Sequence, residues 1–416
     1  MSETEAFSQP ISFVDPEVQQ CPFSVYDKLR REQPVYVDPT TGNYVLTRYE
    51  DVRKVALNPK LFSNRTGLIQ NREGGSAIAR QMFEEQGWLP LDTLVSNDPP
   101  THKLYRSLVD KAFTPAKIIA LEPRIAEICD DLIDDFIARD EIDFVQEFAI
   151  KLPMMMIAEQ LGVAAEDMDI FKAWSDLSVE SVSPILSPER EIATAEGIIA
   201  LQNYMARRIE HYRENPDDRK LLSRLVHAEV DGRRLEMREL MSILQQLLVA
   251  GNETTTATLA GGMKLLVEDP SLVSRLRAEP ARIPTFVEET LRLLAPVQAL
   301  FRRVLADTEI GGVAIAAGST IEVRWGSANR DPAVYENGDR FDLERRNANS
   351  HLTFGTGIHL CIGNQLARGE LRIAFARLID RLDNLRMTRG ENSLAYTPLF
   401  ISYGVTQLWM AFDRRV

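Results

Sequence analysis

The sequence predicts a mainly α-helical protein carrying a few small β-sheets. Apolar residues recur at helical spacing through most of the chain between Ile118 and Leu294. The runs that read as strands are short and fall at about 34–60, 309–325 and 394–412. No Gly/Ser-rich or Pro-rich linker divides the chain, so residues 1–416 read as a single domain.

In chain order, Val35–Val37 and Tyr44–Thr47 are β-runs joined by Asp-Pro-Thr-Thr-Gly-Asn, a turn-rich connector that predicts a hairpin. Asp51–Leu57 follows as a short helix closed by Asn58-Pro59. From Leu61 to Val95 the periodicity is weak, glycines are scattered and large apolar residues such as Phe83, Trp88 and Leu91 stand alone. That stretch reads either as a lid over a site or as a surface excursion. Asp98-Pro-Pro-Thr-His102 then opens a helix bearing Lys103, Arg106 and Lys111. His102 and Arg106, four apart, share a face and can grip one anion.

Helical spacing continues through Ile118–Ile137, Leu152–Leu161, Ile198–Tyr212 and Leu221–Val226, with Met154–Met156 as adaptable core or pocket wall. Glu236–Val267 is the longest helical pattern, about 45–50 Å at the usual rise. Its middle, Ala250-Gly-Asn-Glu-Thr-Thr255, puts a glycine, an acid and hydroxyls where a plain core helix would carry leucine. Thr254 can bond the Ala250 carbonyl and open a notch; the alternative is that both threonines merely pack. Ile283–Leu294 is a further helix, on which Glu289 and Arg292 pair at i, i+3. Short strands follow at Glu309–Ile315 and Thr320–Trp325, then an irregular segment from Arg330 to Ser350. Leu394–Phe412 reads as a hairpin with Leu399, Phe400 and Ile401 near its tip.

With 416 residues, 44% of them hydrophobic and 26% charged, the chain has ordinary globular composition. A formal charge of -13 argues against a nucleic-acid partner, whose phosphates would be repelled. Met1–Gln20 lacks a signal-like apolar run and no apolar stretch of about 20 residues occurs, so a cytoplasmic protein without a membrane partner is expected. Three well-separated cysteines fit a reducing compartment. Cys129, in step with Ile125, Leu132, Ile133 and Phe136, belongs to the core.

Cys361 is different. It lies in Phe354-Gly-Thr-Gly-Ile-His-Leu-Cys-Ile-Gly363, just ahead of a helical run. Glycines at 355, 357 and 363 let the backbone bend tightly and leave room for a flat object. The positive end of the helix stabilises a thiolate, fitting Cys361 to be a metal ligand or a nucleophile. A zinc site would need more cysteines or histidines nearby. A single thiolate suits a metal that brings its other ligands, as haem does.

This segment resembles the haem-binding loop of the cytochrome P450 family, Phe-Gly-x-Gly-x-His-x-Cys-x-Gly, at every fixed position. Further family features fall in order over essentially the whole chain. The resemblance implies the cytochrome P450 fold, with haem b held between the long central helix and the cysteine loop and helix, and Cys361 as its axial ligand. Ala250–Thr255 resembles the oxygen-activation stretch, in which Glu253 would feed protons and Thr254 steer them. Glu289 and Arg292 resemble the Glu-x-x-Arg pair, with Arg345 or its neighbour Arg346 as third member. His102, Arg106, Arg302 and His359 match positions that bind the haem propionates, while an acid present in some relatives falls at Leu300.

The distal helix face carries Gln246, Val249, Ala250, Glu253 and Thr254. With Val297, Gln298 and Phe400, positions that line the pocket in relatives, it implies a mostly apolar chamber with two amides. A hydrophobic substrate with a polar handle, of terpenoid, steroid or substituted aromatic type, is expected. Electrons would come from a ferredoxin and its NAD(P)H-dependent reductase, docking on a basic patch of Lys103, Lys111 and Arg368, and O₂ would be reduced by a monomeric monooxygenase. An H₂O₂-driven peroxygenase would share the cysteine loop without needing the Glu253–Thr254 relay. A haem sensor or carrier would need neither relay nor pocket.

Overall fold

The computed structural model describes residues 11–66, 77–181, 186–390, 394–397 and 401–415. Helices form its body, and the described strands make small sheets at the margins, the largest of five strands. None of the described helices is long and apolar enough to cross a membrane.

The central helix, Met237–Glu268, runs 32 residues, or about 48 Å. Its start is fixed reciprocally: the Glu236 carboxylate takes the N–H of Glu239, and that of Glu239 takes the N–H of Glu236. The two halves of the helix serve different cores. Leu240, Ile243, Leu244, Leu247 and Leu248 pack with Met154, Phe171, Met205 and Leu225. Leu259, Ala260, Met263 and Leu266 pack with Ile125, Cys129, Phe148, Phe286 and Phe375. The polar stretch lies between these cores, where neither asks for a large apolar side chain.

Gly261 and Gly262 then let two helices approach closely. A Cβ would meet Leu294 Cδ1 at 2.3 Å from the first position and Phe375 Cζ at 2.4 Å from the second. The partners are Ile283–Leu294, bounded as its periodicity predicts, and the cysteine helix Asn364–Arg381.

The five-stranded sheet runs Val35–Val37, Tyr44–Leu46, Thr320–Arg324, Ala299–Val304, Phe62–Ser63. The predicted hairpin is its edge, with Tyr36 opposite Val45, and Tyr44–Leu46 lies parallel to Thr320–Arg324.

Four expectations change. Glu309–Ile315 is a hairpin of Thr308–Ile310 and Val313–Ile315, because Gly311 and Gly312 turn the chain at φ +58° and +81°. Ile118–Ile137 splits into Pro115–Ile119 and Glu122–Phe136, since Pro123 has no N–H to continue the first helix. The stretch 61–95 contains a helix, Ala77–Gln86, with no buried residue. Its helix-forming composition and the Arg80–Glu84 and Gln81–Glu85 contacts sustain it, so no apolar stripe announces it.

At the C-terminus, Trp409–Arg414 pairs with Leu382–Met387 and Ile142–Asp143. Of the hairpin expected over 394–412 the described residues keep the antiparallel pairing of 395–397 with 404–406, through the bridge Tyr396 to Val405 and the bonds Thr397 N–H to Gly404 and Thr406 N–H to Ala395, while Trp409–Arg414 pairs elsewhere. Leu399 and Phe400 lie outside the described residues. Leu382–Met387 escapes notice in the sequence because Asp383 and Asn384 are poor strand formers, and Asn384 adopts φ +46° beside a register shift.

Candidate active site

Between the central helix and the cysteine loop lies a cavity of about 480 Å³, lined by both. On the loop side, Gly355 and Gly357 take φ +68° and +69°, the left-handed conformation their residue type permits. They fold the loop so that the Cys361 N–H donates to the Phe354 carbonyl at 2.8 Å. Gly363 instead has φ −82°, and a Cβ there would stand 4.0 Å from the Cys361 sulfur. Its contribution is space rather than a turn. Cys361 is half-buried on the cavity wall. Burial pushes its thiol pKa up, while the N–H groups of Gly363 and Asn364 and the Arg106 and Arg368 charges pull it down. The sulfur therefore gains from an added positive partner.

His102, Arg106, Arg302 and His359 all border the cavity. The rings of His102 and His359 lie 4.2 Å apart. Burial first, then the charges of His102, Arg302 and Arg106, pushes His359 down to about 3, and its Nε2 finds no partner. Arg302 is buried, donates to the carbonyl of Phe301, and is pushed down to about 10 by burial, with Asp98 opposing. Arg106 reaches Asp110 at 2.9 Å and the Leu360 carbonyl at 2.6 Å. A buried arginine without a carboxylate partner among the described residues, with Arg106 and two histidine donors beside it, next to a lone cysteine and a wide apolar cavity, fits an iron porphyrin carrying carboxylates.

On the opposite wall, Thr254 Oγ1 donates to the Ala250 carbonyl at 2.8 Å as the sequence predicts, and both residues border the cavity with Val249 and Gly251. Glu253 is not on that wall. It is exposed, and neighbours Asp176 and Lys172 of the helix Met168–Glu180. Desolvation and then Asp176 raise its pKa, with Lys172 opposing, to an extent its exposure limits.

Val297 and Gln246 border the cavity, as does Ile401, whereas Phe400 lies outside the described residues. Gln298 does not reach the wall. Its amide is buried, accepting from the Tyr26 hydroxyl at 3.0 Å and donating to the carbonyls of Leu294 and Ala295. The amide of Gln246 is also engaged, donating to Thr93 Oγ1 at 2.7 Å and accepting from Val95 N–H at 3.1 Å. It is one rung of a ladder. Arg238 donates to the carbonyls of Leu89 and Pro90, Ser242 accepts from Leu91 N–H, and Gln202 bonds both backbone groups of Trp88. The segment 88–95 is thus fastened to the central helix and to the helix Pro188–Glu214 along one wall of the cavity.

Glu289 and Arg292 are fully buried and paired at 2.7 and 2.8 Å, and Arg345, not Arg346, completes the cluster at 2.9 Å from Glu289. Arg292 also donates to the carbonyls of Asn329 and Gly338, tying down the segment that leads to the cysteine loop.

Glu370 escapes the sequence reading, and so does the partner of Arg368. Glu370 is buried on the cysteine helix at the cavity wall; burial pushes it up to about 8 against a hydrogen bond with Thr255. Arg368, expected on a docking patch, spends its charge on Glu288, at 2.6 and 2.9 Å. No local pattern marks either, because partners 80 or more residues away decide their roles.

Comparison with known proteins agrees with this geometry. Residues 40–394 match the family model Cytochrome P450. The chain is 38% identical to the putative cytochrome P450 YjiB of Bacillus subtilis, covering 90% of this chain and 91% of that one. It is 36% identical to the steroid C26-monooxygenase of Mycobacterium tuberculosis, covering 94% and 93%. The crystal structure of CYP109E1 from Bacillus megaterium with corticosterone superposes with TM-score 0.83 at 33% identity, covering 95% of this chain and 99% of that one. With a family model matched over most of its length and relatives of this identity covered almost end to end, the chain belongs to the cytochrome P450 family as a haem b monooxygenase.

Proposed function

We propose that this monooxygenase hydroxylates a hydrophobic molecule of steroid or terpenoid size, using electrons from a small acidic ferredoxin. The observation that carries the substrate class is the cavity wall beyond the haem corner. Leu91, Leu94, Val249, Ala250, Val297, Leu300 and Ile401 make it predominantly apolar. Relatives named for steroid oxidation or solved with a steroid support the same class. With Gln298 committed inside the fold and Gln246 to the segment 88–95, the polar handle falls to Gln245, which also borders the cavity.

Bound haem b supplies an iron that, once reduced, activates O₂ for insertion of one oxygen atom into a C–H bond while the other leaves as water. Cys361 would hold that iron, with His102, Arg106, Arg302 and His359 holding the propionates. Two neighbouring residues divide the proton task. Glu253 takes protons from the solvent side and Thr254 presents a hydroxyl at the cavity side. The lid segment excludes other water from the chamber.

Lys103 and Lys111 are exposed, and beside the cysteine loop Leu57, Ile358 and Leu360 expose 43%, 38% and 43% of their surface. An apolar patch with a basic margin suits an acidic electron donor. The deciding experiment titrates the haem-loaded protein with steroids, terpenoids and polar controls, reading the low-spin to high-spin shift, then tests positive compounds for hydroxylated product with a ferredoxin and its reductase. Hydrophobic ligands that shift the spectrum and are hydroxylated confirm the reading. A library answered only by small polar compounds would refute the substrate class.

A further inference from the structure

Arg368 stands where both flanks of the cysteine meet. Its Nε and Nη2 bond Glu288 at 2.6 and 2.9 Å, and its Nη1 donates to Asn364 Oδ1 at 3.0 Å. The guanidinium carbon lies 4.4 Å from the centroid of the Phe354 ring. Asn364 in turn donates from Nδ2 to the Cys361 carbonyl at 2.6 Å, and Phe354 accepts the Cys361 N–H at 2.8 Å. Glu288, the anchor in this chain of contacts, also faces His351 Nε2 at 3.3 Å and belongs to the rigid helix Ile283–Leu294.

We propose that Arg368, braced by Glu288, is a positioning residue for the axial sulfur. Through Phe354, whose carbonyl takes the Cys361 N–H, on one side and Asn364, whose Nδ2 and N–H both bond the Cys361 carbonyl, on the other, it fixes the backbone of Cys361 and with it the direction of the sulfur. This deepens the haem-thiolate reading and rests on it.

The physical case has three parts. The pair is bidentate and partly enclosed, with 30% of the Arg368 side chain and 17% of that of Glu288 exposed, so it is stronger and better oriented than a surface ion pair. Burial alone would raise the Glu288 pKa, yet bonds from His351 and Arg368 hold it well below the usual carboxylate range, so the anchor keeps its charge. A planar fork that stacks on a ring while bonding a carboxylate and an amide cannot be reproduced by an ammonium. Outer contacts of this kind orient a metal ligand, and the hydrogen bonds a thiolate receives govern how much electron density it gives the metal.

The test compares haem-loaded wild type with Arg368→Gln, Arg368→Lys and Asn364→Ala. The readouts are the ferric/ferrous potential, the ferrous carbonyl spectrum, the unfolding midpoint and the rate of reduction by ferredoxin. Arg368→Gln is expected to lower the potential and at least double the share of carbonyl complex lacking the sulfur-ligated band. Arg368→Lys should restore little of either. Asn364→Ala, which leaves the ion pair intact, should move both spectroscopic readouts in the same direction and keeps the test open if Arg368→Gln fails to load haem. Unchanged potential and carbonyl spectrum in Arg368→Gln and Asn364→Ala overturn the proposal. If only the unfolding midpoint then falls, the contacts merely brace the fold; if only ferredoxin reduction slows, the charge serves docking. A wild-type protein without the sulfur-ligated band would instead remove the haem-thiolate reading beneath the proposal.

Discussion

Glu370 is a carboxylic acid that the fold holds neutral. Its pKa of about 8 lies above that of an exposed glutamate, because burial outweighs the bond with Thr255. Folding therefore favours the protonated form; the stabilisation is complete below the unfolded value, about 4.3, and is lost as pH rises toward 8. Glu370→Gln, which keeps the shape without the charge, should remove this decline. In denaturant unfolding its stability relative to wild type should improve by up to a few kcal/mol between pH 5 and pH 8. At Thr254 the expected change is chemical: Thr254→Ala should still consume NAD(P)H but release peroxide in place of hydroxylated product, measured as the ratio of product formed to cofactor oxidised. The contrast among these residues marks how far a sequence can be read. Cys361 and Thr254 were legible because short-range requirements surround them, glycines for a tight loop and hydroxyls interrupting an apolar helix. Glu370, Gln298 and Arg368 were not, since each takes its meaning from partners brought by tertiary packing.

The same division holds for whole elements. The central helix and Ile283–Leu294 were readable within a residue or so because long apolar periodicity is a strong signal. Ala77–Gln86 and Leu382–Met387 were missed: one buries nothing and the other begins with poor strand formers. The Glu289–Arg292–Arg345 cluster joins a helix to the irregular segment before the cysteine loop, and adjacent arginines give an internal control. Arg345→Ala should cost about 2–3 kcal/mol by removing its bonds to buried Glu289 and to the Glu336 carbonyl, with poor haem retention. Arg346→Ala should stay within about 0.5 kcal/mol; denaturant midpoints and the haem-to-protein ratio distinguish them. The segment 88–95 offers a kinetic test. Gln246→Leu removes two bonds to the segment 88–95 without opening a void, so substrate should bind and dissociate several-fold faster in stopped-flow spin-shift measurements.

At the scale of the molecule, the net charge of -13 conceals an uneven surface. Leu57, Ile358 and Leu360 are exposed, and the helix Thr101–Asp110, which carries exposed Lys103, reaches the cysteine loop through Arg106 on the Leu360 carbonyl, while Arg368 is neutralised by Glu288. Docking of an acidic donor then needs contact as well as charge. The reduction rate should fall as salt rises but level off above zero, and Ile358→Glu should slow it at every salt concentration. The fastening of segment 88–95 has a consequence for descent. Arg238, Ser242, Gln246 and Gln202 grip mostly main-chain atoms of residues 88–95, so the fastening survives most exchanges of the side chains there. Leu91 and Leu94, which face the chamber, can therefore change without loosening it. A lineage built this way can try new substrates one substitution at a time while that wall of its reaction chamber keeps its place.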